Sequence, residues 1–219
     1  MRSASLISRA SRRLGARLLP LLVAIDIGHT PAEPGALAAS GRPEYELNRD
    51  LAIDVQAALE NSGLTVRVLE SDPDLAKRRT AAEGADLLVT LHHHAMKPRF
   101  RDESRYFSGF ALFVSHANRR AERSLACAGA IGGELELAGF FPSRFHADEV
   151  FGEARPFADA AHGVHYDDTL LLAKDAAIPV VMIEAGVISN RQEELRLTHP
   201  VLRRRFAEAV ALGVRKCLP

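Results

Sequence analysis

DLLVTLHHH, residues 86–94, is an apolar run that ends abruptly in three consecutive histidines. The run is short, bounded by Gly84 and contains Val89 and Thr90, so it reads as a strand covered on both faces rather than as a core helix. Its polar end matters because ligands in open α/β sheets bind just beyond the carboxyl ends of the strands. Taken alone, the histidines are readable either as metal ligands or as polar residues of a surface loop.

The segments on either side repeat the pattern. "LLVAIDI" is a second buried strand, bounded by Gly28. "EYELNRDLAIDVQAALENSG" places Leu47, Leu51, Val55, Ala58 and Leu59 on one helical stripe and stops at Asn61-Ser62-Gly63. "LTVRVLE" alternates Leu64, Val66 and Val68 as a half-buried strand, and a helix is expected around Asp74 to Glu83. After the histidines come a strand "GFALFVS" and a helix "NRRAERSLACAGAIGGELELAG", with Gly129, Gly132 and Gly133 weakening its middle. Phe140 to Asp168 is polar and irregular, and a loop of that length in a compact domain is usually functional. The chain closes with the apolar strand "IPVVMIE", a short helix at Arg191 to Leu197 and a last helix from Pro200 to Leu218. Strands alternating with helices predict a single layered α/β domain with a largely parallel central sheet flanked by helices.

Composition narrows the function classes. The chain has 219 residues, 47% apolar and 26% charged, as expected of one globular domain with a real core. Lys plus Arg, 28, equals Asp plus Glu, 28, which leaves no global footprint for nucleic acid. Cys127 and Cys217 stand in no metal or redox spacing and read as two thiols, with a single disulfide left open. Residues 1–24 carry five arginines and no acid, followed by a short apolar run. Residues 1–22 are therefore a candidate targeting segment and 23–219 the one folded domain. No later stretch is long and apolar enough to span a bilayer, so no stable membrane insertion is expected.

Three polar residues occupy equivalent places: His29 past the first strand, His92 past "DLLVTL", and Glu184 at the end of "IPVVMIE". Glu44 opens the first helix, where an acid is favoured by the helix dipole whatever else it does. His29 alone could equally be a structural histidine. Two histidines and a glutamate from separate elements nevertheless match catalytic zinc sites, which leave a fourth position to water. A carboxylate following Val180, Val181, Met182 and Ile183 is expected to be partly buried, and so needs a partner or a role.

"AIDIGHT" with "PGA", then "GRPEYELN", "LLVTLHHH" and "VVMIEAGVISN", in that order, resemble the zinc-dependent N-acetylmuramoyl-L-alanine amidases of the Amidase_3 family. The resemblance runs from about Val23 to Pro219 and implies an amidase/zinc-exopeptidase-like fold. It implies His29, Glu44 and His92 as ligands of Zn2+, with Glu46 as the rival if the register slips, and Asn48 in register behind Glu44. It further implies Glu184 as the catalytic base, moving a proton from the nucleophilic water to the leaving amine. His94 or His146 is an auxiliary candidate at the oxyanion. The substrate implied is the amide between the N-acetylmuramic acid lactyl group and L-alanine, in peptidoglycan or muropeptides. The location implied is the cell envelope, periplasmic or secreted. Two alternatives remain: a zinc peptidase acting on short wall peptides, and a peptidoglycan-binding module without catalysis. Thr30-Pro31 stand where the family commonly has Gly, and Val187 where it has Phe. His146, Asp148, Glu153, Arg155, His162 and His165 in the 140–168 region carry no assigned roles.

Overall fold

A computed structural model describes residues 20–219. Most of the candidate targeting segment, residues 1–19, lies outside them. Seven strands form one sheet in the order β2-β1-β3-β7-β4-β6-β5. They are β1 (Leu22–Ile27), β2 (Thr65–Val68), β3 (Leu87–His94), β4 (Ala111–Val114), β5 (Phe157–Asp159), β6 (Val164–Tyr166) and β7 (Val180–Val187). β2, β1, β3 and β7 run parallel, β4 is antiparallel to β7, and β5 is antiparallel to β6.

The central strands are apolar on both faces because both faces are covered. On one side, Val23, Ile25, Leu87, Val89 and Leu91 pack under helices α1 (Glu44–Asn61), α3 (Ala121–Leu137) and α5 (Pro200–Cys217). On the other, Ala24 and Leu88 meet Ala82, Leu172, Ala173 and Ala176, contributed by α2 (Leu75–Ala81) with its C-terminal turn and by the segment before β7. α4 (Arg191–Thr198) is capped by Asn190, whose side chain accepts from the Gln192 and Glu193 amides.

Four expectations change. β3 takes in all three histidines, because its pairing with β7 continues through His92 to His94. The region 140–168 is not wholly irregular, since β5 and β6 extend the sheet there. β2 is an edge strand with Thr65, Arg67 and Val68 exposed, so its alternation is weaker than the sequence suggests. The two cysteines form a disulfide: α3 and α5 lie side by side and bring the Cys127 and Cys217 Cα atoms to 4.9 Å. The helix α3 also runs unbroken through its three glycines.

The disulfide closes a separation of 90 residues, and long closures restrict the unfolded chain most. Reduction is expected to lower stability by about 2–4 kcal/mol. Calorimetry with and without reductant checks this, and an unchanged Tm would contradict it.

Candidate functional site

The parallel run of β1, β3 and β7 sets three chain ends on one edge of the sheet. His29 follows β1 after Gly28, His92 lies in β3, and Glu184 lies in β7 directly beside His92 in the register. Side chains alternate along β3, so His92 and His93 leave on opposite faces. Glu44 arrives from the first turn of α1.

These residues meet. Glu44 Oε2 is 3.0 Å from His29 Nε2, and Glu44 Oε1 is 3.2 Å from His92 Nδ1. One ligand-type atom from each of the three lies within 4.8 Å of the others. The backbone is built for this approach. His29 has φ 68°, a left-handed conformation that bulky residues avoid and that clusters at functional sites. A Cβ on Gly28 would stand 2.4 Å from the His92 ring, so only glycine lets the ring lie there. The Thr30-Pro31 departure is accommodated by a tight turn in which Thr30 Oγ1 accepts from the Glu33 amide at 2.9 Å.

Glu44 is held from behind. It accepts from the Ala36 and His93 amides, each at 3.2 Å, and from Asn48 Nδ2 at 3.3 Å. Asn48 Nδ2 also donates to the Gly28 carbonyl. Its Oδ1 therefore accepts, which assigns the proton of the 2.7 Å contact to His93 Nδ1. His93 is thus a buried neutral support and not a fourth member of the cluster. Glu46, the rival to Glu44, is ion-paired with Arg42 at 3.0 Å on the outside of α1.

Charge is distributed unevenly here. Burial pushes the Glu44 carboxyl up, but hydrogen bonds from His29 and His92 outweigh it and hold the group well below the ordinary carboxylate range. The same hydrogen bond to Glu44 raises the His29 imidazole. Glu184 behaves oppositely: desolvation pushes its carboxyl well above the usual value, with Glu44 and Glu153 adding repulsion and Arg155 opposing them. Glu184 Oε2 is enclosed and accepts no hydrogen bond from the protein. Beside this edge lies a cavity of about 350 Å3 lined by His29, Thr30, Arg78, His92 and Leu172 among others. Its floor is fixed by Arg78 donating to Asp26 at 2.7 Å and Thr90 donating to the same carboxylate at 2.6 Å.

Two histidines and a carboxylate on three separate pieces of chain, beside a half-buried carboxyl whose Oε2 has no partner, form a donor set compatible with a metal ion. A family model described as N-acetylmuramoyl-L-alanine amidase (Amidase_3) matches residues 23–216. The chain belongs to the N-acetylmuramoyl-L-alanine amidase family. Among curated relatives, the amidase AmiA of Escherichia coli is 23% identical over 88% of this chain and 74% of its own length. The probable cell wall amidase LytH of Staphylococcus aureus is 21% identical, over 88% of this chain and 57% of its own. Solved amidase structures share the fold. Ami1 from Mycobacterium smegmatis superposes with a TM-score of 0.72 at 18% identity, covering 90% of this chain and 96% of that one. The catalytic domain of CwlV from Bacillus (Paenibacillus) polymyxa gives 0.69 at 24%, covering 90% and 97%.

The 140–168 region also reaches the end of β3. His146 packs edge-on to His94, with ring centroids 4.7 Å apart, and its Nδ1 lies 3.1 Å from Glu153 Oε2. Sequence reading names Glu153 without a role, because no local motif announces a loop carboxylate that meets a strand histidine about sixty residues away. Arg155 lies 3.9 Å from Glu153 and the His165 ring 5.7 Å from that of His146, while Asp148 and His162 are engaged elsewhere. Asp148 accepts from the Val150 and Phe151 amides, His162 pairs with Glu136 at 2.7 Å, and His165 sits between Phe113 and Phe157.

Desolvation lowers the His93 imidazole to about 4, from the ordinary 6.5. Below pH 6.5 the unfolded chain takes up this proton and the folded chain does not until about pH 4, so stability falls as pH drops through that window. Replacing His93 with Gln is expected to remove about 1 kcal/mol per pH unit from that slope. Denaturant titrations at several pH values check it, and parallel slopes for both proteins would contradict it.

Proposed function

We propose that the protein is a zinc amidase hydrolysing the bond between the lactyl group of N-acetylmuramic acid and L-alanine of peptidoglycan stem peptides. The observation that carries this reading is a half-buried Glu184, its Oε2 enclosed and without a partner, beside a His29–Glu44–His92 cluster in a chain of this family.

The residues suit the metal. Two imidazoles and a carboxylate are a zinc-type donor set, and Glu44 would hold the ion with them, one of its oxygens 3.0 Å from His29 Nε2 and the other 3.2 Å from His92 Nδ1. Asn48 and the two backbone amides orient Glu44, the outer-shell support that ligating carboxylates require. When bound, the metal supplies Lewis-acid polarisation of the scissile carbonyl and acidifies water to a nucleophile near neutral pH.

The chain's own groups do the rest. Glu184, next to His92 in the sheet register, is the base that removes the proton from water and delivers it to the leaving nitrogen. Its raised proton affinity suits the second of these steps, as a carboxyl that ionises too readily returns protons poorly. The adjoining cavity is where the substrate flanking the scissile bond would be held. A wall-binding module without catalysis would have no use for a desolvated, unpaired carboxyl, which costs free energy to keep.

The cell envelope is the place of action proposed, periplasmic or exported. The Cys127–Cys217 disulfide supports it, since such bonds persist in oxidising compartments. Among the described residues no helix is long and apolar enough to cross a membrane.

Glu184→Gln keeps the shape and removes the base. The variant is expected to bind zinc normally and to lose activity on a muropeptide by about 10²–10⁴-fold. Metal analysis alongside turnover checks both halves. Near-normal turnover would eliminate Glu184 as the base.

A further inference from the structure

A second group of metal-ligand type lies outside the His29 cluster. His94, His146 and Glu153 each offer one ligand atom within 4.8 Å of the other two. They come from separate pieces of chain: the end of β3, a single 3-10 turn (Phe145–Ala147) and the loop that follows it.

The loop is constructed to bring its two members together. Both the Glu153 and Arg155 amides donate to the His146 carbonyl, at 3.3 and 2.9 Å. Between them Ala154 is held at φ 54°, a left-handed conformation that a residue with a Cβ rarely adopts. At Gly152 a Cβ would stand 2.0 Å from the Phe145 carbonyl oxygen, so the turn closes only with glycine. The surroundings are dry. Phe145 stacks on His146 at 4.1 Å between ring centroids and lies 5.0 Å from His94, and Phe113 meets the His146 edge at 5.1 Å.

Two imidazole nitrogens around this group are buried and make no hydrogen bond, His165 Nε2 beside Phe113 and, within the cluster itself, His94 Nε2. A buried imidazole nitrogen without a partner carries a desolvation penalty that a ligand would relieve. Two cations flank Glu153 at the long end of ion-pair distance, and each has another partner. Lys97 Nζ and Arg155 Nε stand 4.0 and 3.9 Å from its oxygens. Lys97 instead donates to the Gly152 carbonyl, and Arg155 is paired with Asp167.

We propose that His94, His146 and Glu153 form a second binding site for a divalent transition-metal ion of the zinc type, separate from the His29–Glu44–His92 site. Two imidazoles and a carboxylate favour zinc, cobalt or nickel over the oxygen-seeking calcium and magnesium. His94 leaves β3 two residues after His92, so both sites open from the same strand end. This arrangement replaces a lone His94 or His146 at the oxyanion with a three-residue unit.

Zinc stoichiometry tests it without reference to turnover. Chelator-stripped protein dialysed to equilibrium against buffered zinc is expected to hold about two equivalents, following the three-ligand rule for each site. His146→Ala and Glu153→Gln should each retain about one, and His29→Ala should also retain about one. The Glu153→Gln change preserves packing and guards against a His146 variant that fails to fold, which circular dichroism would reveal. A wild-type protein that saturates at one equivalent, lost in His29→Ala and kept in Glu153→Gln, would reduce the second group to a hydrogen-bonded dyad and overturn the proposal. One equivalent lost in Glu153→Gln and kept in His29→Ala would instead remove the metal from the first site and leave the second standing.

Discussion

The pairing of β3 with β7 is the constraint on which the site depends. With His92 opposite Glu184, a parallel ladder of backbone hydrogen bonds sets the proposed ligand beside the proposed base. A slip of one residue would turn Glu184 toward the other face of the sheet, under the apolar cover of α1, α3 and α5. The burial of Leu88, Val89, Leu91, Val181 and Ile183 on both faces is what prevents that slip. Core packing and site geometry are therefore one problem in this chain. The register shifts between His92 and His94, where the two strands stop matching residue for residue. Such irregularities re-aim side chains near active sites, and here the shift separates the strand's contribution to the two histidine clusters.

A second layer of organisation lies behind the metal-type residues. Glu44 would be a buried carboxylate between two imidazoles at the mouth of a cavity, free to turn away, without its contacts to Ala36, His93 and Asn48. Asn48 ties this carboxylate to the Gly28 carbonyl and the His93 ring, so the loop after β1, the strand β3 and the helix α1 share one hydrogen-bonded joint. The middle histidine of the triplet thus stabilises the position of its neighbour's partner.

Much of this was legible in the sequence, and the reason differs by element. β1, β3 and β7 are continuous apolar runs, and α1 has a clear stripe with a glycine stop, so local pattern and tertiary fate agree. His29, Glu44, His92 and Glu184 stood out in the sequence because each follows an apolar run or opens a helix, and the structure brings His29, Glu44 and His92 together. The triplet was harder: its first histidine points to Glu44 and its second to Asn48, which periodicity along a strand explains only once the strand is known to include them. β5 and β6 have three residues each, too few for a period to register. The disulfide depends on α3 lying against α5, a contact that 90 residues of intervening chain conceal. Glu153 was singled out but left without a role for a similar reason: it meets His146 and His94 only across the fold.

The central claim is that this edge of the sheet performs metal-dependent amide hydrolysis at the junction of glycan and peptide. The most direct measurement is mass spectrometry of the products formed from a defined N-acetylmuramoyl-peptide by zinc-loaded protein, with a chelated sample in parallel. Free peptide beginning at L-alanine is expected, abolished by the chelator and restored by zinc. Cleavage within the peptide, or an intact substrate despite bound zinc, would contradict it.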